Sequence, residues 1–452
     1  MAESVKRLLA ISWAMPPLLT PRSVQVGRAL KSLNLSGWQV DVVAVDVDDL
    51  PQSYTIDEDL GSLYGDYYQS VRVGHEGEYQ DGNDLLMLRW RKPALEAAIR
   101  LLEENCYTAL LTFAQPWVDH LVGLELKRIT GLPWVAHFSD PWVDNFYYCG
   151  VDRSLIQEWS VLEEEVARRA DVLIFTNDSA ADLVMGKYYR GWRGKTAVIP
   201  HAHDSDPGEF EQIVPPKKSP LRLVYTGGLY GHRSPEGFYG ALALLNQKKT
   251  LAGQLEVLVA GPVDPHFKQM PVDMGLGEVV RFEDMVPYRR SLELLGSANV
   301  LLLIDAAMDS SPFLPSKLVD YLTFQRPILG ITPQDGVSAD LLQRLGCPTA
   351  PPDSPEQIAA VLENLLANWQ IEDLSKAVVF RDVLAEYSLE SIGRKYDLAL
   401  QKAVHRRLPK RWSDRLLSPP IARFLHRLTM APIMPRLVRR LKGMINSGEK
   451  GA

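Results

Sequence analysis

Along the first 200 residues, short apolar runs alternate with longer stretches of helical spacing. Arg7 to Trp13, Val40 to Val45, Ala109 to Phe113, Pro133 to Phe138, Val172 to Thr176 and Thr196 to Ile199 read as strands. Between them, Ser23 to Leu33, Ala94 to Glu104, Val118 to Thr130, Ser154 to Arg169 and a segment from Ser179 carry the period of helices. Residues Asp46 to Arg91 are poorly patterned and rich in Asp, Gly and Tyr, which predicts an insertion or mobile loop. Alternation of this kind argues a doubly wound, mostly parallel sheet.

The stretch Asp206 to Pro220 has turn and linker composition, and a second alternating series follows it. Its strands are Leu221 to Tyr225, Leu255 to Val259, Val279 to Phe282, Val300 to Ile304 and Ile328 to Ile331. Its helices lie near Glu236 to Gln247, Tyr288 to Leu295 and Pro355 to Trp369. The fold class is therefore α/β: two tandem doubly wound domains, residues 1–205 and 221–380, with 206–220 between them.

In open α/β sheets, ligands bind outside the carboxyl ends of the strands. The most unusual loops fall at such ends: Pro16 to Arg22, Asp140-Pro141-Trp142, Gly227 to Arg233, and Asp305 to Ser316. Two come from each half, which implies a cleft between the domains with a ligand bridged across it. After the apolar run Val300 to Ile304, Pro315 suits a first helical position, leaving the Ser316 and Lys317 amides pointing out of the helix start, where an anion is favoured. Asp320 follows Ser316 by one turn, roughly 6 Å along the axis, about the offset from a diphosphate to ribose hydroxyls. An ordinary capped helix with a surface aspartate explains the same residues. Gly227 and Gly228 let backbone approach a phosphate closely, Ser234-Pro235 reads as an N-cap and first helical proline, and Arg233 offers a fork to a diphosphate. A glycine turn beside a solvated arginine is the plain alternative. Asp140 suits either a sugar hydroxyl or a helix cap, and His120 either the cleft or the interior. The runs His201 to Asp204 and Asp46 to Asp48 are too sparse for a metal site.

Composition adds one asymmetry. The net charge is −7, yet residues 401–452 hold thirteen Lys and Arg against two Asp and Glu, leaving −18 on the remaining 400. Basic residues mixed with Trp412, Phe424, Leu437 and similar side chains suit an anionic membrane surface or docking on the acidic body; nucleic acid is disfavoured, because that body repels a polyanion. No apolar run approaches the ~18 residues that span a bilayer. Three widely spaced cysteines fit a reducing compartment, so the expectation is a cytoplasmic protein, peripheral at the inner face of the membrane if the tail binds it.

With these loops placed, the chain resembles the retaining glycosyltransferases of the two-Rossmann GT-B fold, in particular the family 4 group. The resemblance rests on an ordered set: Leu132 to Trp142 (LPWVAHFSDPW), Glu163 to Val166, Val198 to His201, Leu223 to Tyr230 and Pro315 to Leu322. Arg381 to Leu398 resembles the closing helix that returns to the first domain. The family's frequent pair of glutamates falls here on Pro312 and Asp320, so the first acid is absent and the second is shortened. Arg22 stands where the family commonly has glycine.

The resemblance implies a nucleotide-sugar donor, UDP- or GDP-linked, held mainly by the second domain, with no metal and no further cofactor. It implies a glycan or lipid-linked acceptor against the first domain. Catalytic roles fall to Asp140, Arg233 and Lys317; substrate-binding roles fall to Gly227, Gly228, Ser316, Asp320, Arg22 and His120. A catalytically silent nucleotide-sugar-binding scaffold and a sugar-nucleotide epimerase are the competing expectations.

Overall fold

The structure is a computed structural model that describes residues 6–77, 87–148, 150–204, 213, 215, 218, 220–370 and 381–406. It divides into two compact units: one reaches Pro200 and resumes at Ile392, the other runs from His201 to Ser391. The linker proposed at 206–220 lies largely outside the described residues, as does the basic tail from residue 407 onward.

Unit 1 is built on one seven-stranded sheet. Its strands are β1 (Lys6–Ile11), β2 (Trp38–Val45), β3 (Gln69–Val73), β4 (Ala109–Ala114), β5 (Trp134–Phe138), β6 (Val172–Phe175) and β7 (Thr196–Val198). They lie in the order β3-β2-β1-β4-β5-β6-β7, and every pair is parallel. Helices α1 (Pro21–Leu35), α2 (Glu58–Tyr64), α3 (Arg91–Glu104), α4 (Val118–Thr130), α5 (Arg153–Arg169) and α6 (Asp178–Met185) connect them. The central strands β4, β5 and β6 are buried at every position, which is why they read as unbroken apolar runs rather than alternating ones.

Unit 2 carries a six-stranded sheet in the order β10-β9-β8-β11-β13-β15. These strands are β8 (Leu221–Thr226), β9 (Leu255–Ala260), β10 (Val280–Glu283), β11 (Val300–Ile304), β13 (Ile328–Ile331) and β15 (Thr349–Ala350). A short ribbon pairs β12 (Ser310–Ser311) with β14 (Asp335–Gly336). The helices are α7 (Glu236–Lys248), α8 (Pro265–Asp273), α9 (Tyr288–Gly296), α10 (Ser316–Thr323), α11 (Val337–Arg344), α12 (Pro355–Gln370) and α13 (Arg381–Glu386).

The last described helix, α14 (Leu389–His405), packs on unit 1. It buries Ile392, Tyr396 and Leu400, each worth about 1.5–3 kcal/mol. Its Asp397 accepts hydrogen bonds from Trp38 Nε1 at 2.9 Å and Lys6 Nζ at 3.0 Å. Gly393 meets the Ser32 carbonyl of α1 so closely that no Cβ fits there.

Three expectations are corrected. Asp46 to Arg91 is not a structureless insertion: it supplies α2 and the edge strand β3, whose half-exposed Gln-Ser-Val-Arg-Val sequence hides its period. Arg381 to Leu398 is not one helix. It breaks at Tyr387 and Ser388, where the Ser388 hydroxyl accepts from the Ser391 amide and starts α14 afresh. Both expected proline starts shift by one residue. Pro315 and Pro235 occupy the N-cap positions, so α10 begins at Ser316 and α7 at Glu236, while the Ser234 hydroxyl accepts from the Glu236 amide at 3.1 Å.

Candidate functional site

Each sheet reverses its strand order once, between β1 and β4 in unit 1 and between β8 and β11 in unit 2. Neighbouring connections there leave for opposite faces of the sheet and open a crevice at the strands' carboxyl ends. The candidate residues of unit 2 come from the two loops that flank its crevice.

Gly227 and Gly228 follow β8. Gly227 has φ +124°, a left-handed setting, and its amide donates to the Ala260 carbonyl at 2.7 Å. A Cβ on Gly227 would lie 2.5 Å from Lys317 Nζ and would push that flexible side chain aside, while the backbone conformation itself calls for glycine. The Tyr225 hydroxyl donates to the Gly228 carbonyl at 2.8 Å and pins the turn from beneath. Arg233 follows, its guanidinium 6.0 Å from the Tyr230 ring centroid.

From the far side of the crevice, β11 leads to Asp305 and then to α10. Ser316 and Lys317 open that helix, so their amides have no carbonyl partner one turn earlier. Lys317 Nζ lies 3.9 Å over the Tyr225 ring and has no hydrogen-bond partner among the described residues. Burial, with the charge of Arg233, holds its ammonium well below the usual lysine range. The buried Asp305 accepts from the Thr332 hydroxyl at 2.8 Å. Burial pushes its carboxyl up, against the Thr332 hydroxyl bond and, more weakly, the charges of Arg233 and Lys317. Asp320 is half-buried one turn beyond Ser316 and within electrostatic reach of Lys317. The crevice thus gathers Gly227, Gly228, Arg233, Ser316, Lys317 and Asp320, together with Asp305 and Tyr225, to which sequence reasoning gave no role.

Arg22, His120 and Asp140 belong to unit 1, at its own reversal. Arg22 is in the first turn of α1 and its Nη2 donates to the Ser139 hydroxyl. Ser139 in turn donates to Asp140 Oδ2 at 3.1 Å, and Gln115 Nε2 reaches the same oxygen at 3.4 Å. His120 is fully buried, with Nδ1 2.8 Å from the Thr112 hydroxyl. Burial lowers its pKa to about 3, so the ring is neutral. Trp142 fixes the loop that carries Asp140 by stacking on Trp117, centroids 4.7 Å apart and planes 3° off parallel. Glu163 accepts from the Val143 amide at 3.0 Å and holds the same loop from α5. The His203 ring is 2.9 Å from the Leu384 carbonyl, a structural contact.

No family model and no curated protein matches the sequence. Solved structures do match. Sucrose-phosphate synthase from Thermosynechococcus elongatus aligns with TM-score 0.59 at 15% identity, over 94% of this chain and 100% of that one. WaaG, a glycosyltransferase involved in lipopolysaccharide biosynthesis, aligns with TM-score 0.58 at 15% identity, over 86% and 98%. The S. aureus MnaA–UDP structure aligns with TM-score 0.52 at 12% identity, over 87% and 97%.

The fold is GT-B. Its two parallel sheets with flanking helices agree with the doubly wound class read from the hydrophobic pattern. Among the described residues no helix is long and apolar enough to cross a membrane.

Proposed function

We propose that this chain is a glycosyltransferase that takes its sugar from a nucleotide-sugar donor, UDP- or GDP-linked, held by unit 2. One observation carries the reading: the shielded, unpartnered Nζ of Lys317 lies against a left-handed glycine at the first turn of α10, with Arg233 across the same crevice. A buried charge without a partner is costly, and a diphosphate supplies the missing acceptors. Lys317 covers Gly227, so the diphosphate enters by drawing this ammonium off the Tyr225 ring onto its own oxygens.

Breaking the glycosyl–phosphate bond builds positive charge on the sugar and negative charge on the leaving diphosphate. Lys317, Arg233 and the Ser316 and Lys317 amides stabilise the latter charge without a divalent ion. Asp320 holds the ribose, and Asp140 serves the sugar or acceptor side. The acceptor, a glycan or a lipid-linked one, is assigned to unit 1, and the linkage is made with retention. The basic segment 401–452 is assigned to an anionic membrane surface.

A putative UDP-N-acetylglucosamine 2-epimerase from Listeria monocytogenes shares the fold, with TM-score 0.55 at 10% identity, which keeps an epimerase as the second reading. Incubation with a panel of UDP- and GDP-sugars separates the possibilities. Slow release of free sugar, or transfer, supports the proposal. Interconversion of donors identifies an epimerase, and thermal stabilisation without turnover a silent binder.

A further inference from the structure

The donor reading gives Asp305 no task, although it is the buried carboxylate of the unit 2 crevice. Asp305 stands one residue past β11, and β11 runs between β8 and β13. The Gly227 turn therefore lies to one side of it and Thr332 to the other, each about 5 Å away at the spacing of parallel strands. Its amide donates to the Ile331 carbonyl at 2.9 Å, and its Oδ2 accepts from the Thr332 hydroxyl at 2.8 Å. These two bonds fix the carboxylate at the base of the crevice. Arg233 and Lys317 both lie within its electrostatic reach, and with the Thr332 hydroxyl they favour its ionised form.

A carboxylate so placed repels the diphosphate that the two cations attract, and a neutral side chain would bind that anion better. The course of the transfer supplies a reason for the charge. As the bond between the sugar carbon and the β-phosphate oxygen breaks, the oxygen keeps the electron pair. The acceptor hydroxyl that bonds to the sugar carbon gives its proton to water. In the donor each phosphate carries one negative charge. In the released nucleoside diphosphate the terminal phosphate carries a second one, above its second pKa of about 6. Arg233 and Lys317 alone would hold the product harder than the donor, and a retained product blocks the next turnover. A fixed negative charge weighs more against the product's extra charge, and does so most strongly where water is excluded.

We propose that Asp305 is a specificity residue that sets the charge balance of the unit 2 crevice, disfavouring the released nucleoside diphosphate relative to the nucleotide sugar and so promoting product release. This deepens the donor reading and rests on it.

The test compares UDP and GDP, each with its β-methyl ester, whose terminal phosphate carries a single charge as it does in a nucleotide sugar. Affinities are measured by calorimetry on the full-length parent and on Asp305→Asn, which keeps an oxygen for the Thr332 hydroxyl. At about pH 8, the substitution is expected to tighten the free diphosphate about fivefold or more relative to its ester. At about pH 5, where the two ligands carry the same charge, the relative gain disappears. Equal effects on both ligands at the higher pH, or the same relative gain at both pH values, overturn the proposal while leaving the donor reading intact. A parent chain that binds neither diphosphate overturns both. Asp305→Ser, small and neutral, is the second lesion if Asp305→Asn does not fold, and the same relative gain is expected of it.

Discussion

Lys317 Nζ sits 3.9 Å above the Tyr225 ring, in contact range of Gly227 and with no hydrogen-bond partner among the described residues. A cation–π contact of this kind is worth about 2 kcal/mol when desolvated, less than a charged hydrogen bond to phosphate adds once both groups are shielded. Lys317→Met is therefore expected to fold as well as the parent and to bind UDP or GDP about 10- to 100-fold more weakly, from the 1.5–3 kcal/mol of a charge-assisted bond. Titration calorimetry reads the difference.

Donor binding should also be linked to protons. The free Lys317 ammonium is held well below its ordinary value of 10.5 by burial, and an adjacent diphosphate raises it again. Binding then takes up a proton at any pH between the free and bound values, and affinity falls as pH rises through that window. Calorimetry in buffers of different ionisation enthalpy measures the uptake, which Lys317→Met abolishes.

Asp119 gives a stability signature of unit 1. Unfolded, it ionises near 3.8; folded, burial outweighs the Trp13 amide and the Arg22 charge and holds the carboxyl protonated well above that. The unfolded chain binds fewer protons between the two values. The stability from this group is complete below 3.8 and is lost as pH rises toward the folded value, by up to about 1.4 kcal/mol per pH unit. Asp119→Asn should flatten that part of the profile in thermal melts run across the acid range.

The closing helix offers a mechanical check. Gly393 abuts the Ser32 carbonyl and the Ser36 hydroxyl, so Gly393→Ala forces α14 off α1. Overpacking of this kind costs about 1–3 kcal/mol, which a lowered midpoint in urea would report. Gly37→Ala is the control: its Cβ meets nothing within 4 Å, and the loss comes only from its φ of +88°.

The doubly wound plan was legible because β4, β5, β6 and β11 are buried at every position, as β1 is from Leu8 onward, and each is a nearly unbroken apolar run, so burial and composition agree. It failed at β3, where an edge position lets polar residues into the strand, and at α8 and α11, helices of nine and eight residues that span barely two turns. The glycine turn and the start of α10 stood out by residue type and by their place after a strand, although each had a plain structural alternative. Asp305, Asp119 and Ser139 did not. Their roles depend on which strands end side by side, and a lone Asp or Ser after an apolar run gives no sign of a buried charge beside it. The placing of Asp305 and Thr332, each one residue past the ends of the neighbouring strands β11 and β13, was the available hint.

Calorimetric titration of the full-length protein with UDP and with GDP, repeated on Lys317→Met and Arg233→Ala, tests the central claim most directly. The account predicts that one of the two nucleotides binds the parent chain and that each variant loses at least tenfold in affinity while melting as the parent does. Parent protein that binds neither nucleotide, or variants that bind as tightly as the parent, would contradict it.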